Sequence, residues 1–411
     1  MSRGVAVTGI GLVSPVGTVV EEVFDAVCAG RSALVRPPEG HALHGVVDVA
    51  AIGPAIDPES VIPPKDARVV DRSIVMAVRA AEDALADAAI EVGRDVDPYR
   101  VAIVLSGVGG LETLARQAVE RSTRGRLGIS PFMLPGVLPN MAAARVAIKF
   151  GVRGYTSSSG TACAAGGQSI GEAVRILRSG EADVVVCGCT EAPLFPTFAD
   201  AFGNALALAR GWADPTAASR PFDRRRNGFV LGEGAGVLVL ERAEFARARG
   251  ATVHAQVLGW GATSDGYHPT TPRPDGSSAA ESMRLALRDA GLSTADIGYL
   301  NAHGTGTKAG DAAETMAIRG VYGDDMPPVS STKGVTGHML GASGVVEASI
   351  AIMALRKGVL PPTHNLDDPD PACDLDHVRG EPRTTDVAAV MSNSFGFGGH
   401  NVSVILGRAG G

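Results

Sequence analysis

The 411-residue chain has little charge and few aromatic side chains, which make up 20% and 4% of it. Its formal net charge is −7, so the chain as a whole does not favour binding to nucleic acid or to an anionic membrane surface. It also lacks an uninterrupted apolar run of about eighteen residues, the length that a transmembrane helix needs. We therefore expect a cytoplasmic protein that binds neither nucleic acid nor membrane.

Cysteine is scarce as well, with five residues at irregular spacings. An odd number without paired spacing argues against a disulfide framework and against a zinc site, so we expect no metal. The first residues carry Gly and Pro within their apolar stretch and no clear small-residue cleavage site, which disfavours a secretory signal peptide. A reducing compartment is the expected environment.

The 53 glycines and the 45% of hydrophobic residues favour a large core of closely packed small side chains. Short β-branched runs alternate with apolar residues at helical spacing, which indicates an α/β fold with a parallel sheet covered on both faces. The predicted strands are residues 5–10, 101–105, 183–187, 236–240, 253–260, 299–302 and 402–405. The predicted helices are residues 73–89, 166–178, 277–290 and 345–355.

The order of these elements suggests two comparable halves. Each half offers an early strand, a middle strand followed by a Gly-rich turn, and a final apolar strand. We predict the join near residues 249–250, after a charged helix at 241–249. The expected units are therefore residues 1–250 and 251–411.

Cys163 lies in a run of small residues, 160–167, directly before a helical pattern. Small neighbours let the backbone turn tightly and let a substrate approach. The amides at the start of a helix favour the thiolate, which is the nucleophilic form of cysteine. Cys163 is therefore a candidate nucleophile, and the alternative is a buried apolar cysteine.

Two histidines follow in similar settings. His303 comes after an apolar strand and precedes Thr305 and Thr307, whose hydroxyls can bind a polar ligand arm. Lys333 lies shortly before His338, and a cation fixed beside an imidazole lowers the imidazole pKa and keeps it neutral, so that it can donate to an oxyanion. A turn-capping His303, a satisfied loop His338 and a solvated Lys333 are the alternatives.

The glycine-rich stretch 393–401 joins two apolar strands. Backbone amides in such a turn can point at a developing oxyanion, and Phe397, between glycines, can swing without moving a rigid backbone. An ordinary Gly-rich hairpin with both of its Phe residues in the core is the alternative.

Together and in this order, these motifs resemble the elongating β-ketoacyl-acyl carrier protein synthases of the thiolase superfamily over essentially the whole chain. Further matches are residues 7–11, 220–223 and 228–234. The resemblance implies a thiolase fold, with duplicated mixed five-stranded sheets in an αβαβα layered arrangement. The first unit then carries the cysteine, and the second carries the two histidines, the lysine and the Gly-Phe-Gly loop.

The resemblance also implies the reaction. Cys163 would accept an acyl chain from the phosphopantetheine of an acyl carrier protein, with no cofactor bound to the enzyme itself. His303 and His338 would bind the oxygen of the malonyl thioester while carbon dioxide leaves. The backbone amides of Cys163 and Phe397 would form the oxyanion hole, and a 3-ketoacyl chain would leave on the carrier.

Other residues take supporting roles by the same resemblance. Lys333 and Glu347 resemble the family's ion pair that organises the histidines. Thr305 and Thr307 match the hydroxyls that hold the pantetheine arm.

The family's carrier proteins are acidic, so docking needs a local basic patch despite the negative net charge. Lys65, Arg68 and Arg72 are the candidates, and a solvated charged face is the alternative. Members of the family pair through a central strand, and polyketide ketosynthases often pair with a chain-length-factor subunit that lacks the cysteine. A homodimer and such a heterodimer both stay open.

Residues 303–311 and 191–196 look like the ketosynthase subunits of bacterial type II polyketide systems, which favours polyketide chain elongation. His400 stands where many relatives have Thr or Ser, but some fatty-acid synthases share it, so fatty-acid elongation is the alternative. A thiolase would need a second reactive cysteine, and the late Cys373 lies in a Pro/Asp-rich loop. A non-catalytic thiolase-fold subunit is disfavoured because Cys163 and both histidines are kept.

Overall fold

The computed structural model describes residues 4–67 and 70–409. Within those residues the strands, in chain order, are β1 (Val5–Val13), β2 (Leu34–Val35), β3 (Ala50–Ala51), β4 (Val101–Ser106), β5 (Thr156–Ser157), β6 (Val184–Glu191), β7 (Gly234–Arg242), β8 (Ala255–Ser264), β9 (Ile297–Asn301), β10 (Val329–Ser330), β11 (Val359–Leu360), β12 (Arg383–Thr384), β13 (Ala389–Gly396) and β14 (His400–Gly407).

The helices of the same residues are α1 (Val20–Cys28), α2 (Pro64–Ala67), α3 (Arg72–Asp87), α4 (Leu111–Arg124), α5 (Met133–Val137), α6 (Met141–Phe150), α7 (Ala165–Ser179), α8 (Pro196–Asn204), α9 (Ala243–Ala248), α10 (Ser277–Ala290), α11 (Lys308–Tyr322), α12 (Lys333–Thr336) and α13 (Gly341–Lys357). None of the described helices has the length and hydropathy that crossing a bilayer requires.

Ten of the described strands form one sheet that consists of two sets of five. The first set has the order β5-β4-β6-β7-β1, and the second has the order β8-β14-β13-β9-β10. The sets meet where β1 pairs with β8, over the short antiparallel contact of residues 5–7 with residues 255–257. The duplicated five-stranded arrangement implied by the resemblance is therefore present.

The strand directions are mixed, so the parallel sheet inferred from the alternation of elements was wrong for the middle of the sheet. Strands β4, β5 and β6 are parallel to one another, as are β9, β10 and β13, whereas β1, β7, β8 and β14 are antiparallel to their neighbours. The short turn between β13 and β14 explains one reversal, because a tight hairpin can join only antiparallel strands.

Helices form three layers around the two strand sets. Helices α7 and α13 lie between the sets and contact strands of both. Helices α3 and α6 pack on the first set, and α10, with α11 beside it, packs on the second. Helix α13 is buried on every side from Gly341 to Leu355, as its almost wholly apolar and small side chains require. The order of layers is αβαβα.

Most predicted elements are confirmed with small shifts of their ends. Helix α10 has the predicted bounds, and α3, α7 and α13 contain or closely match the predicted helices. The charged helix predicted at 241–249 was too long, because Glu241 and Arg242 belong to β7 and Glu241 is fully buried there. The division at residues 250–251 stays a prediction.

Candidate active site

Cys163 lies in a 3₁₀ turn, Ala162–Ala164, that leads directly into α7. Ala162 has a φ of +48°, a conformation that costs an L-residue about 1–2 kcal/mol. The start of α13 packs on this turn, where a Cβ on Gly341 would lie only 3.0 Å from the carbonyl oxygen of Ala162. Packing therefore holds the turn in a strained shape, which is a frequent property of functional sites.

The environment of the Cys163 thiol corrects one expectation from the sequence. Burial, followed by the nearby charge of Glu191, raises the pKa of Cys163 to about 12. Lys333 and the backbone amides of Phe397 and Cys163 lower this pKa by smaller amounts. The start of α7 thus does not make the resting thiol a thiolate, and deprotonation has to accompany the attack on a substrate.

His338 contacts the sulfur directly. Its Nε2 lies 3.2 Å from Sγ of Cys163, and its Nδ1 lies 3.3 Å from Oγ of Ser343. The ring is 2% exposed and packs edge-on against Phe229, with the ring centroids 5.2 Å apart. The imidazole therefore has one fixed orientation, with one nitrogen on the nucleophile and the other on a serine.

His303 follows β9 and lies beside His338, with ring centroids 5.3 Å apart and planes nearly perpendicular. The backbone N–H groups of His303 and Gly304 each donate to the carboxylate of Glu314 over 2.8 Å. This clamp fixes the turn that presents the ring. The pKa of each histidine lies well below the ordinary value of 6.5, mainly because of burial and then because of the Lys333 charge. Both imidazoles are therefore neutral.

Lys333 begins α12 and is fully buried. Its Nζ donates to the carbonyl oxygen of His303 over 2.5 Å and forms an ion pair with Glu347 of α13. Burial raises the pKa of Glu347 to about 6, and the Lys333 charge opposes that shift. The ion pair links the turn that carries His303 to the helix that follows His338.

Phe397 lies in the turn between β13 and β14. A Cβ on Gly396 would lie 3.0 Å from the backbone nitrogen of Cys163, so only glycine lets the turn approach this closely. The backbone amides of Phe397 and Cys163 both lower the pKa of the Cys163 thiol, so both act on the sulfur. The Phe397 side chain is 38% exposed and lies 6.1 Å from the ring of Phe202, so this phenylalanine is not in the core.

The site opens into a cavity of 560 Å³ whose wall is mostly apolar surface and also includes several polar and charged side chains. Thr305 and Thr307 are on its wall with their hydroxyl oxygens 3.2 Å apart. Thr307 also accepts a hydrogen bond from the amide of Gly310 and so caps α11. Among the described residues no group of three His, Cys, Asp or Glu side chains could hold a metal ion. The cavity suits an apolar chain with a polar arm at its mouth.

Of the three basic residues considered for docking, Arg72 is described with its side chain, and it is not among the residues that line this cavity. The Lys65 side chain and Arg68 lie outside the described residues. Arg72 begins α3, and its guanidinium is tied to the carboxylate of Glu233 at 2.8 Å and to the carbonyl oxygen of Pro54 at 2.9 Å. Its charge is therefore partly offset within the fold, and the docking role of Arg72 stays a prediction.

Three residues of the site had not been identified from the sequence. Glu314 clamps the His303 turn, Ser343 contacts His338, and the buried Glu191, with a pKa raised by burial to about 8, lies near Cys163. A buried acidic residue one turn after Asp311 in a helix that follows His303 was the available signal for Glu314. Nothing in the sequence distinguished Ser343, and Glu191 stood out only as the first residue of the stretch 191–196, without a role near Cys163.

Comparison with known proteins gives consistent matches over the chain. Residues 2–246 match the family described as beta-ketoacyl synthase, N-terminal domain, and residues 254–367 match beta-ketoacyl synthase, C-terminal domain. The 3-oxoacyl-[acyl-carrier-protein] synthase 2 of Vibrio cholerae serotype O1 is 42% identical over an alignment of 413 positions, which covers 99% of this chain and 99% of that protein.

Two solved structures are similar over their full length. The ishigamide ketosynthase/chain length factor has a TM-score of 0.91 at 35% identity, with 100% of both chains covered. A ketosynthase bound to a hexaketide, in complex with the acyl carrier protein of its type II polyketide synthase, has a TM-score of 0.90 at 29% identity, again with 100% of both chains covered.

Proposed function

The chain belongs to the β-ketoacyl synthase family, and on that basis we propose that it condenses an acyl group carried on Cys163 with malonyl-acyl carrier protein. The proposal is carried by the contact of 3.2 Å between Sγ of Cys163 and Nε2 of a buried, neutral His338. An acyl acceptor and a hydrogen-bond donor for a thioester oxygen are thereby held side by side on the wall of the cavity.

The first half-reaction loads the enzyme. The Cys163 sulfur attacks the carbonyl carbon of an acyl-phosphopantetheine thioester, and the amides of Cys163 and Phe397 stabilise the tetrahedral oxyanion. The carbon–sulfur bond to pantetheine breaks, and the proton of the Cys163 thiol ends on the pantetheine sulfur. The products are acyl-Cys163 and the free carrier thiol.

The second half-reaction forms the carbon–carbon bond. His303 and His338 donate hydrogen bonds to the thioester oxygen of malonyl-carrier, so that loss of carbon dioxide leaves a stabilised enolate. The enolate carbon attacks the acyl-Cys163 carbonyl, and collapse of the oxyanion releases the Cys163 thiolate, which takes a proton from solvent. The product is a 3-ketoacyl chain on the carrier.

The acyl and malonyl groups both arrive on a pantetheine arm, and we propose that Thr305 and Thr307 bind the amides of that arm. A wall that combines apolar surface with polar side chains suits a ligand that is an alkyl chain at one end and a diamide at the other. No step uses a cofactor bound to the enzyme.

For the pathway, we favour type II polyketide chain elongation. The resemblance of residues 191–196 and 303–311 and the similarity to two polyketide ketosynthase structures support it. Elongation in fatty-acid synthesis is the second candidate, which the relatives named 3-oxoacyl-[acyl-carrier-protein] synthase 2 support. A non-catalytic subunit is disfavoured by the complete set of Cys163, His303, His338 and Lys333. The expected cytoplasmic location stays a prediction.

A second subunit is proposed to pair at the edge strand β5. This strand ends the sheet, and an unpaired edge is a ready site for strand pairing. The elements before and around it expose large apolar side chains, namely Val119, Leu127, Leu134, Ile148 and Tyr155. Such a surface fits either a second copy of this chain or a chain-length-factor partner.

Intact-protein mass spectrometry tests the function. The protein is incubated with acyl-carrier thioesters of saturated, polyene and polyketone chains of matched length, and the mass added to the enzyme is measured before and after addition of malonyl-carrier. We expect a single acyl adduct on the wild-type protein that disappears as 3-ketoacyl-carrier forms.

The Cys163→Ala variant is the negative control, and Cys28→Ser is the matched cysteine control that keeps the adduct. A preference for polyene or polyketone chains supports the polyketide pathway, whereas equal or better loading of saturated chains supports fatty-acid elongation. An adduct that persists in Cys163→Ala contradicts the nucleophile assignment.

A further inference from the structure

We propose that Ser343 is a positioning residue that holds His338 in the tautomer with its proton on Nε2. The inference rests on the proposed function for its consequence, because only that tautomer donates from Nε2 to the sulfur and to a thioester oxygen. The tautomer of the His338 imidazole itself can be measured without substrate.

The hydrogen bonds around Ser343 leave one arrangement with every group satisfied. Ser343 is 1% exposed, and its Oγ accepts the backbone N–H of Met339 over 2.9 Å. The same oxygen lies 3.3 Å from Nδ1 of His338. A hydroxyl has a single proton to donate, and among the described residues Nδ1 of His338 is the acceptor found within reach.

The opposite tautomer would place the proton on Nδ1 and make Ser343 an acceptor twice over. The hydroxyl proton would then be buried without an acceptor, and such an unsatisfied group is more costly than a hydrogen bond is favourable. The tautomer with its proton on Nε2 satisfies every one of these groups. Met339 donates its amide to Ser343, Ser343 donates its hydroxyl to Nδ1 of His338, and Nε2 of His338 donates to the Cys163 sulfur. A hydrogen bond to one ring nitrogen thus sets the role of the other.

Backbone geometry fixes the serine in this place. Leu340, the residue before α13, has a φ of +48°, and on the far side of this strained residue Ser343 accepts the hydrogen bond from the amide of Met339. Ser343 is in the first turn of α13, five residues after His338. The other histidine differs, because Nδ1 of His303 is buried with no hydrogen-bond partner among the described residues. The fixed tautomer is therefore a property of His338.

The direct test is NMR of the substrate-free protein labelled with ¹⁵N in histidine, with the His338 signals assigned by their loss in His338→Asn. In the wild-type protein we expect Nε2 to be protonated and Nδ1 to be an unprotonated acceptor. In Ser343→Ala we expect a mixture that includes protonated Nδ1, and in Ser343→Thr a return to the wild-type pattern. Protonated Nδ1 in the wild type, or an unchanged tautomer in Ser343→Ala, would overturn the proposal.

The kinetics of malonyl-carrier decarboxylation provide a second test of the role of Ser343. Losing one neutral hydrogen bond should lower kcat for malonyl-carrier decarboxylation by about two- to tenfold in Ser343→Ala, with KM unchanged. Ser349→Ala is the matched control, because Ser349 is also buried in α13 but donates to the carbonyl oxygen of Val345 within its own helix.

The two readouts separate the inference from the function on which it rests. If NMR shows the expected tautomers but the protein catalyses no condensation, the proposed function is refuted and the positioning role of Ser343 is still supported. Normal condensation by wild-type protein in which Nδ1 carries the proton would refute the positioning role alone.

Discussion

Lys333 and Glu347 form an ion pair in which the two side chains are only 1% and 2% exposed. The lysine belongs to the turn before His338, the glutamate belongs to α13, and the same ammonium donates to the carbonyl oxygen of His303. One buried cation therefore bridges the segments that carry both histidines.

Replacing this cation should cost stability as well as activity. In Lys333→Ala the Glu347 carboxyl stays buried without a partner, so we expect the free energy of unfolding to fall by about 3–5 kcal/mol. The double variant Lys333→Met/Glu347→Leu should recover much of that loss but not condensation. Denaturant unfolding followed by circular dichroism measures the first effect.

The exposed pair of Lys357 and Asp25 provides the control. Lys357→Met should change the free energy of unfolding by about 1 kcal/mol or less, because exposed ion pairs contribute little. An equal decrease in the free energy of unfolding for Lys333→Ala and Lys357→Met would contradict the structural role of the buried pair.

His303→Ala should separate loading from condensation. The variant keeps Cys163 and the oxyanion amides, so acyl transfer to the enzyme should persist in part. Condensation should fall by about 10²–10³, the usual loss when one donor to a developing oxyanion is removed. Radiolabelled acyl transfer and product formation are measured side by side, with His41→Ala, which is outside the cavity, as the control. Unimpaired condensation would refute the role.

Cys163→Gln should abolish covalent loading and retain decarboxylation of malonyl-carrier. The amide side chain cannot form a thioester, while both neutral imidazoles stay in place to stabilise the enolate. Release of labelled carbon dioxide is the measurement, with Cys28→Ser as the matched control. A covalent acyl adduct on the variant would show that another residue is the nucleophile.

Glu191→Gln should change the pH dependence of stability. Burial raises the pKa of Glu191 from 4.5 to about 8, so between these values the folded protein holds a proton that the unfolded chain releases. Stability contributed in this way is complete at low pH and is lost as pH rises. Relative to Glu191→Gln, the wild type should lose up to about 1.4 kcal/mol per pH unit over this range.

Denaturant unfolding of both proteins from pH 5 to pH 9 measures that difference, and the exposed Glu181→Gln is the control. The charge of Glu191 also raises the pKa of Cys163, so Glu191→Gln should speed alkylation of Cys163 by iodoacetamide at pH 9. A constant stability difference across this pH range would count against the shifted carboxyl.

Charge reversal should locate the carrier-protein surface. Lys65→Glu/Arg68→Glu is expected to raise KM for an acidic carrier while activity on an acyl-N-acetylcysteamine thioester stays the same, since only the carrier meets the patch. Arg247→Glu, an exposed reversal on α9, is the control. An unchanged KM for the carrier would dismiss the patch.

The sequence predicted the helices and strands better than the directions of the strands. It also identified the candidate residues that the structure brings together, Cys163, His303 and His338, but not the side chains around them. Periodicity identified α10 with its observed bounds, because its apolar residues share one face. The same periodicity cannot tell parallel from antiparallel neighbours, which is why β1 and β8 were misjudged. The positions of Cys163, His303 and His338 were recognisable because each is flanked by small residues at a strand or helix end.

What the sequence left out depends on contacts that only the folded chain makes. Glu314 lies eleven residues after His303 and clamps its turn, and Ser343 lies five residues after His338, beyond the positive φ of Leu340, and contacts its ring. The pKa of Cys163 was misjudged for the same reason, since burial by several distant elements outweighs the local effect of a helix start.

The sulfur and its neighbouring imidazole are 175 residues apart in the chain, and they meet because α7 and α13 occupy the same layer between the two strand sets. Neither half of the molecule can then retain a fraction of the condensing activity by itself. If one half loosens during heating, turnover should cease as completely as after full denaturation. The residual activity of a heated sample should therefore be proportional to the fraction of molecules in which both halves are still folded and packed together.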